Sequence, residues 1–260
     1  MSHRITSRIR LASALAGAAL LTTLTGCEIA DELATTAEEL LGVDEQTEVQ
    51  DFDTADSGDG DYYTILGSAE LEYEPTTPGV VEYCATDALD RAVCAYGELT
   101  SELRAEAQAR GRQDITVDPS GWPEDNREVH IPALDHVEGS KDYNGWFYNR
   151  SHMVADSLGG SADIENLVTG TRTQNVGSTQ GGGMAYTEEM ARDYLDTTDA
   201  DTCPLYYSAQ PQYQGDELVP RTVLVDIRSC DGAIDQRVEV SNTANGWGID
   251  YATGDYTEIN

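Results

Sequence analysis

Between residues 146 and 195 the chain gathers side chains that could break a phosphodiester bond. Asn149-Arg150-Ser151-His152 is followed by Asn166-Leu167-Val168-Thr169-Gly170-Thr171-Arg172-Thr173-Gln174-Asn175, and then by Glu188-Glu189. Each piece alone has a plain structural reading. A lone histidine is more often a packing residue than a catalyst, asparagines sit in turns and caps, and glutamate pairs on helices usually face water. Together they match what the hydrolysis requires. A base must deprotonate the attacking water, and histidine titrates close to working pH. A hard cation must neutralise the non-bridging oxygen and the leaving oxyanion. An asparagine carbonyl and a glutamate carboxylate are oxygen ligands suited to Mg²⁺, which keeps most of its waters; Mn²⁺ and Ca²⁺ favour the same donors. A cationic side chain must hold the phosphate in line.

These residues need elements to carry them. Residues 87–110 are expected as a helix, because Leu89, Val93, Tyr96 and Leu99 recur at helical spacing. A second helix is expected over 184–195. Strands are expected at 65–73, 80–83, 146–148, 222–227 and 238–240, with 246–256 as a closing hairpin. The glycine-rich segment 177–183 lacks the phosphate-loop pattern and reads as a mobile loop over the cleft. Helices between strand runs point to one α+β domain over about 62–260. No internal repeat is visible. His130 and His136 read as structural.

The run from Asn149 to Gly160, followed by Glu165 to Asn175, resembles the DNA/RNA non-specific endonuclease family, and within it the secreted streptococcal DNases and the DNA-entry nucleases. Val219-Pro220-Arg221-Thr222-Val223-Leu224-Val225-Asp226-Ile227 and Asn242-Thr243-Ala244-Asn245-Gly246 resemble that group's C-terminal portion. The resemblance implies a ββα-metal nuclease core on a largely antiparallel sheet with flanking helices. It puts the general base of the family's Asp-Arg-Gly-His pattern on His152, the phosphate-contacting arginine on Arg150, and the direct Mg²⁺ ligand on Asn175. Asn149 and Ser151 depart from the family's Asp and Gly, which leaves open what orients His152.

The family also implies a glutamate on the metal helix. At roughly 100° per residue, Glu188 lies at the border of the apolar arc made by Tyr186, Met190, Tyr194, Met184, Ala191 and Leu195. Glu189 faces away with Asp193 and Asp196. Glu188 is therefore expected at the ion. Arg172 and Arg192 are further candidate phosphate binders, although Arg192 is also placed for a simple i,i+4 pair with Glu188.

The two ends and the cysteines set the compartment. Arg4, Arg8 and Arg10 precede a short run of small and apolar residues over 11–25, too short to span a bilayer. The run ends Leu24-Thr25-Gly26-Cys27, which resembles a bacterial lipobox. Residues 1–26 are thus expected to be a lipoprotein signal peptide and Cys27 the lipidated residue of an exported protein anchored to the outer face of the cell membrane. Residues 28–61 hold 13 acids and no lysine or arginine, so 27–61 reads as a disordered, self-repelling tether. Asp53, Asp56, Asp59 and Asp61 fail the calcium-loop spacing. Export implies an oxidising compartment. Cys84–Cys94 and Cys203–Cys230 are the expected disulfides, since each pair closes a local loop; zinc is disfavoured because no CxxC or HxxxH spacing occurs.

The net charge is −33, with Lys141 the only lysine. That excludes a protein that grips a polyanion with its whole surface. Contact with DNA, or with RNA as the alternative, must be local. The reading is a metal-dependent, sequence-non-specific endonuclease. Its rivals are a non-catalytic surface lipoprotein that uses the same fold to bind a partner, and an exported toxin nuclease, which a lipid anchor argues against. No protein partner can be named.

Overall fold

The structure, a computed structural model, describes residues 58–259. The expected signal peptide 1–26, Cys27 and the acidic stretch as far as 57 lie outside the described residues. In chain order the strands are β1 (Tyr63–Gly67), β2 (Val81–Tyr83), β3 (Ala95–Leu99), β4 (Glu128–Ile131), β5 (Tyr143–Trp146), β6 (Tyr148–His152), β7 (Leu167–Thr171), β8 (Leu205–Gln212), β9 (Thr222–Ser229), β10 (Asp235–Ser241), β11 (Trp247–Ile249) and β12 (Tyr256–Glu258). The helices are α1 (Ser101–Arg110), α2 (Arg172–Val176) and α3 (Met184–Thr197). Six strands make an antiparallel sheet in the order β1-β10-β9-β8-β3-β2. Three two-stranded ribbons, β4–β5, β6–β7 and β11–β12, stand beside it.

Alternation builds the main core. Leu205, Tyr207 and Ala209 on β8, Val223, Val225 and Ile227 on β9, and Val238 and Val240 on β10 are all buried. Alternate residues of a strand share a face, so these side chains make one continuous apolar surface. Met184, Ala191, Tyr194 and Leu195 of α3 pack on it, as do Met153, Val154 and Leu158 from the segment after β6. Each such aliphatic contributes about 1.5–3 kcal/mol on burial, and a charge at Val225 would break the layer. A second, aromatic core lies under the small ribbons. Phe147 stacks on Tyr256 at 4.0 Å between ring centres and meets Tyr148 edge-on at 4.7 Å.

The structure corrects several expectations. The helix expected over 87–110 is a turn, a strand and a helix. Asp87 accepts hydrogen bonds from the backbone of Leu89 and Arg91, which closes a turn inside the Cys84–Cys94 disulfide. Burial in β3 then alternates with period two, and the strand pairs with β2 and β8. The helix begins only at Ser101, where Thr100 accepts from the Leu103 amide at 3.2 Å. Four apolar residues at helical spacing were too few to outweigh these long-range pairings. The strand expected over 65–73 stops at Gly67. The aromatic run 146–148 is two strands divided at the buried Phe147. Strands β4, β7 and β8 had no counterpart in the sequence reading.

The expected helix over 184–195, the closing hairpin and both disulfides are present. The segment 177–183 is fastened rather than loose. Asp61, assigned from sequence to the tether, is buried and accepts hydrogen bonds from the amides and hydroxyls of Ser178 and Thr179 at 2.6–2.8 Å.

Candidate active site

The ribbon β6–β7 presents the histidine. Register pairs His152 with Leu167 and Arg150 with Thr169. The turn that follows His152 is fixed by Asn166, which is fully buried. Its Oδ1 accepts from the Val154 amide at 2.9 Å, and its Nδ2 donates to the carbonyls of Val154 and Ser161 at 2.9 and 2.8 Å. At the far end of β7, Thr171 caps α2 by accepting from the Gln174 amide at 2.9 Å. Asn242 clamps the same strand end, accepting from the Thr171 amide and donating to the Thr169 carbonyl. Asn175 is thereby set on the last turn of α2. Gly183, with φ 54°, turns the chain sharply into α3, which carries Glu188.

These elements converge. His152, Asn175 and Arg112 line both of two adjoining clefts, of about 650 and 410 Å³. Arg150, Arg172 and Trp146 line the larger, and Glu188 and Asp156 the smaller. His152 Nε2 is buried and has no hydrogen-bond partner among the described residues. Burial pushes the His152 ring below its ordinary pKa, Asp156 opposes that, and the positive charge of Arg112 adds to it. Burial thus favours the neutral ring, and its Nε2 is left without a partner among the described residues. Asn175 Oδ1 accepts from the hydroxyl of the buried Ser151 at 3.1 Å, so Ser151, which stands at the family's glycine position, orients the amide.

Glu188 is largely buried while Glu189 is exposed, as the helical pattern predicts. Burial raises the Glu188 pKa, and Arg192, 3.4 Å away, partly offsets this. Arg192 therefore pairs with Glu188, and nothing points its guanidinium into the larger cleft. Arg150 is held from two sides. Its Nε donates to Asp118 at 2.7 Å, and its guanidinium lies over the Trp122 ring at 4.4 Å. Arg172 donates to Gln180 at 2.6 Å and lies 5.3 Å from the Tyr143 ring centre. Gly145 makes this possible, since a Cβ there would fall 2.3 Å from the Tyr143 hydroxyl.

The sequence reading missed Arg112. It follows the Gly111 cap of α1, forty positions before His152, and makes no ion pair among the described residues. Its position in both clefts is set by the packing of α1 against the segment after β6, which no local motif reports. The donor set also limits the metal. Among the described residues, no three His, Cys, Asp or Glu side chains are grouped to cage an ion. One amide oxygen and one carboxylate fit a hard cation that keeps several waters, and not a closed zinc cage.

A ribbon that delivers a histidine, joined to helices that deliver an asparagine and a glutamate beside it, defines the ββα-metal fold of a phosphodiester hydrolase. Residues 72–231 match the family described as DNA/RNA non-specific endonuclease. The chain is 33% identical over 238 residues to a deoxyribonuclease of Streptococcus dysgalactiae subsp. equisimilis, covering 75% of this chain and 72% of the relative. Among solved structures, the Sda1 nuclease with a bound zinc ion is 31% identical with a TM-score of 0.67, over 77% of this chain and 98% of that one. NucA from Streptococcus agalactiae with a magnesium ion bound shares the fold at 20% identity and a TM-score of 0.56, over 88% and 96% of the two chains. The chain belongs to the DNA/RNA non-specific endonuclease family and is an endonuclease acting on nucleic-acid phosphodiester bonds.

Proposed function

We propose that this protein is an exported endonuclease, anchored by lipid at Cys27 after removal of residues 1–26 and held off the membrane by the acidic segment that follows, and that it cuts DNA without sequence preference using Mg²⁺. His152 accepts the proton of the attacking water through its open Nε2. The burial that keeps the ring neutral keeps it ready for that proton. Asn175 and Glu188 hold the cation, with Ser151 setting the amide's direction and Arg192 favouring the ionised carboxylate. When bound, the cation supplies electrostatic stabilisation to the phosphate oxygens. Arg150, made rigid by Asp118 and Trp122, and Arg112, which makes no ion pair among the described residues, hold the phosphate in line; Arg172 reaches the same cleft.

The observation that carries this reading is the placement of a buried His152 Nε2, unpartnered among the described residues, in the same two clefts as Asn175. Plasmid digestion tests it. Mg²⁺ should support cutting, EDTA should abolish it, and His152→Ala should slow it by about 10²–10⁴-fold, with Mn²⁺, Ca²⁺ and Zn²⁺ compared at equal concentration. Metal-dependent cutting at an undiminished rate in His152→Ala overturns the assignment of the base. Absence of cutting with every metal favours a partner-binding lipoprotein. A labelled RNA in parallel tests whether DNA is the preferred polymer.

A further inference from the structure

One aromatic side chain at the cleft has no structural employment among the described residues. Trp146, at the end of β5, is 53% exposed, lines the larger cleft together with His152 and takes part in none of the described ring stacks or cation contacts. The other two tryptophans are occupied. Trp247 is buried and donates its indole N–H to the His130 carbonyl at 2.9 Å, and Trp122 lies under Arg150. An indole left half in water costs hydrophobic free energy, so its place in this wall asks for a ligand.

The charge around the cleft says which part of a nucleic acid that ligand is. Arg150 on β6, Arg172 on α2 and Arg112 after α1 supply the positive groups. On the β4–β5 ribbon the nearest charge to Trp146 in the register is negative. Glu128 stands directly across from Trp146 in the register, and cross-strand partners share a face. Phosphates are attracted to the arginines and repelled by Glu128. The uncharged face of a base is indifferent to that carboxylate and stacks well on an indole. In a paired duplex both faces of each base are already covered, and exposing one costs a few kcal/mol.

Resting on the endonuclease reading above, we propose that Trp146 is the stacking platform for one unpaired nucleobase of a strand whose phosphate is held at His152, and that the platform favours single-stranded segments over intact duplex. Stacking also adds affinity that salt does not screen, which suits an acidic protein.

Binding in the full chain carrying His152→Ala, with Mg²⁺ present, separates affinity from cutting. The probes are a labelled single-stranded oligonucleotide and the same sequence as a duplex. Adding Trp146→Ala should weaken single-strand binding between about fivefold and about a hundredfold, leave duplex binding nearly unchanged, and leave the melting temperature unchanged because the side chain is exposed. Trp146→Phe should retain most of the affinity. A single abasic site, moved along the oligonucleotide, should weaken binding at one position when Trp146 is present and lose that effect in Trp146→Ala. Equal losses on both probes, unchanged affinity, or a change of oligomeric state without a change of affinity would overturn the platform. If the protein with His152 intact neither binds nor cuts either polymer, the endonuclease reading itself is what has failed.

Discussion

At the scale of single residues, burial decides what His152 can do. A low-dielectric surround disfavours the imidazolium, so the ring loses its proton below the ordinary value of about 6.5. A base acts only when deprotonated. The cleavage rate is therefore expected to be on its plateau at about pH 7 and to fall only as pH drops through a value under about 6.5. A pH–rate profile with its acid midpoint above neutrality would contradict this. His152→Ala should cost about 10²–10⁴-fold in rate at neutral pH. Glu188 is the opposite case, because burial raises its pKa and Arg192 restrains the rise. Removing that restraint with Arg192→Met should raise the Glu188 pKa further, so that metal-dependent activity is lost at a higher pH on the acid side. Glu188→Gln should weaken the apparent metal affinity by about 10–100-fold, read from a metal titration of activity and from calorimetric binding of the metal alone.

At the scale of elements, two buried polar side chains fasten the segments that carry the site. Asn166 holds the turn after His152 to the start of β7. Asn166→Ala would leave one amide and two carbonyls without partners in the interior, at a cost of about 2–4 kcal/mol. Urea denaturation should show this as a lower midpoint, with activity falling alongside because the His152 turn loosens. Asp61 fastens the loop between α2 and α3. Asp61→Ala should cost about 3 kcal/mol and release the 177–183 loop, which hydrogen exchange would detect as faster exchange at Ser178 and Thr179. Unchanged protection there would show that the loop holds itself.

At the scale of the whole molecule, the charge of −33 opposes the substrate. Long-range repulsion should be relieved as salt shortens the screening length to about 8–10 Å, whereas the local contacts proposed for Arg112, Arg150 and Arg172 should weaken later. Cutting is expected to rise from low to moderate salt and then decline. A rate that falls monotonically from about 20 mM to about 500 mM NaCl refutes this, since that is the behaviour of a basic nuclease. The two disulfides lie apart from the clefts that His152 lines, one beside β3 and one joining the start of β8 to the end of β9. Opening the Cys203–Cys230 loop, with its separation of 27 residues, should cost about 3–4 kcal/mol. Reductant is therefore expected to lower the melting temperature while leaving the activity of the still-folded protein largely intact.

Which of the motif side chains meet at the clefts was legible in the order of residues. The spacing of Arg150, His152 and Asn175 and the polarity around Glu188 along one helix brought the reading to those side chains, because hairpins and helices place residues a few positions apart by fixed geometry. The same holds for the alternation in β9 and β10 and for the disulfides that close short loops. Packing over long sequence distances was not legible. Leu89, Val93, Tyr96 and Leu99 fit a helix on spacing, yet pairing with β2 and β8 made a strand of Ala95–Leu99. Arg112, Asp118 and Trp122 reach the site from outside any motif, and the exposure of Trp146 depends on what covers its neighbours. Burial, the freedom of a guanidinium and the pKa of an imidazole are properties of the surrounding atoms, most of which belong to residues far away in the chain. The tertiary structure alone assembles that surround.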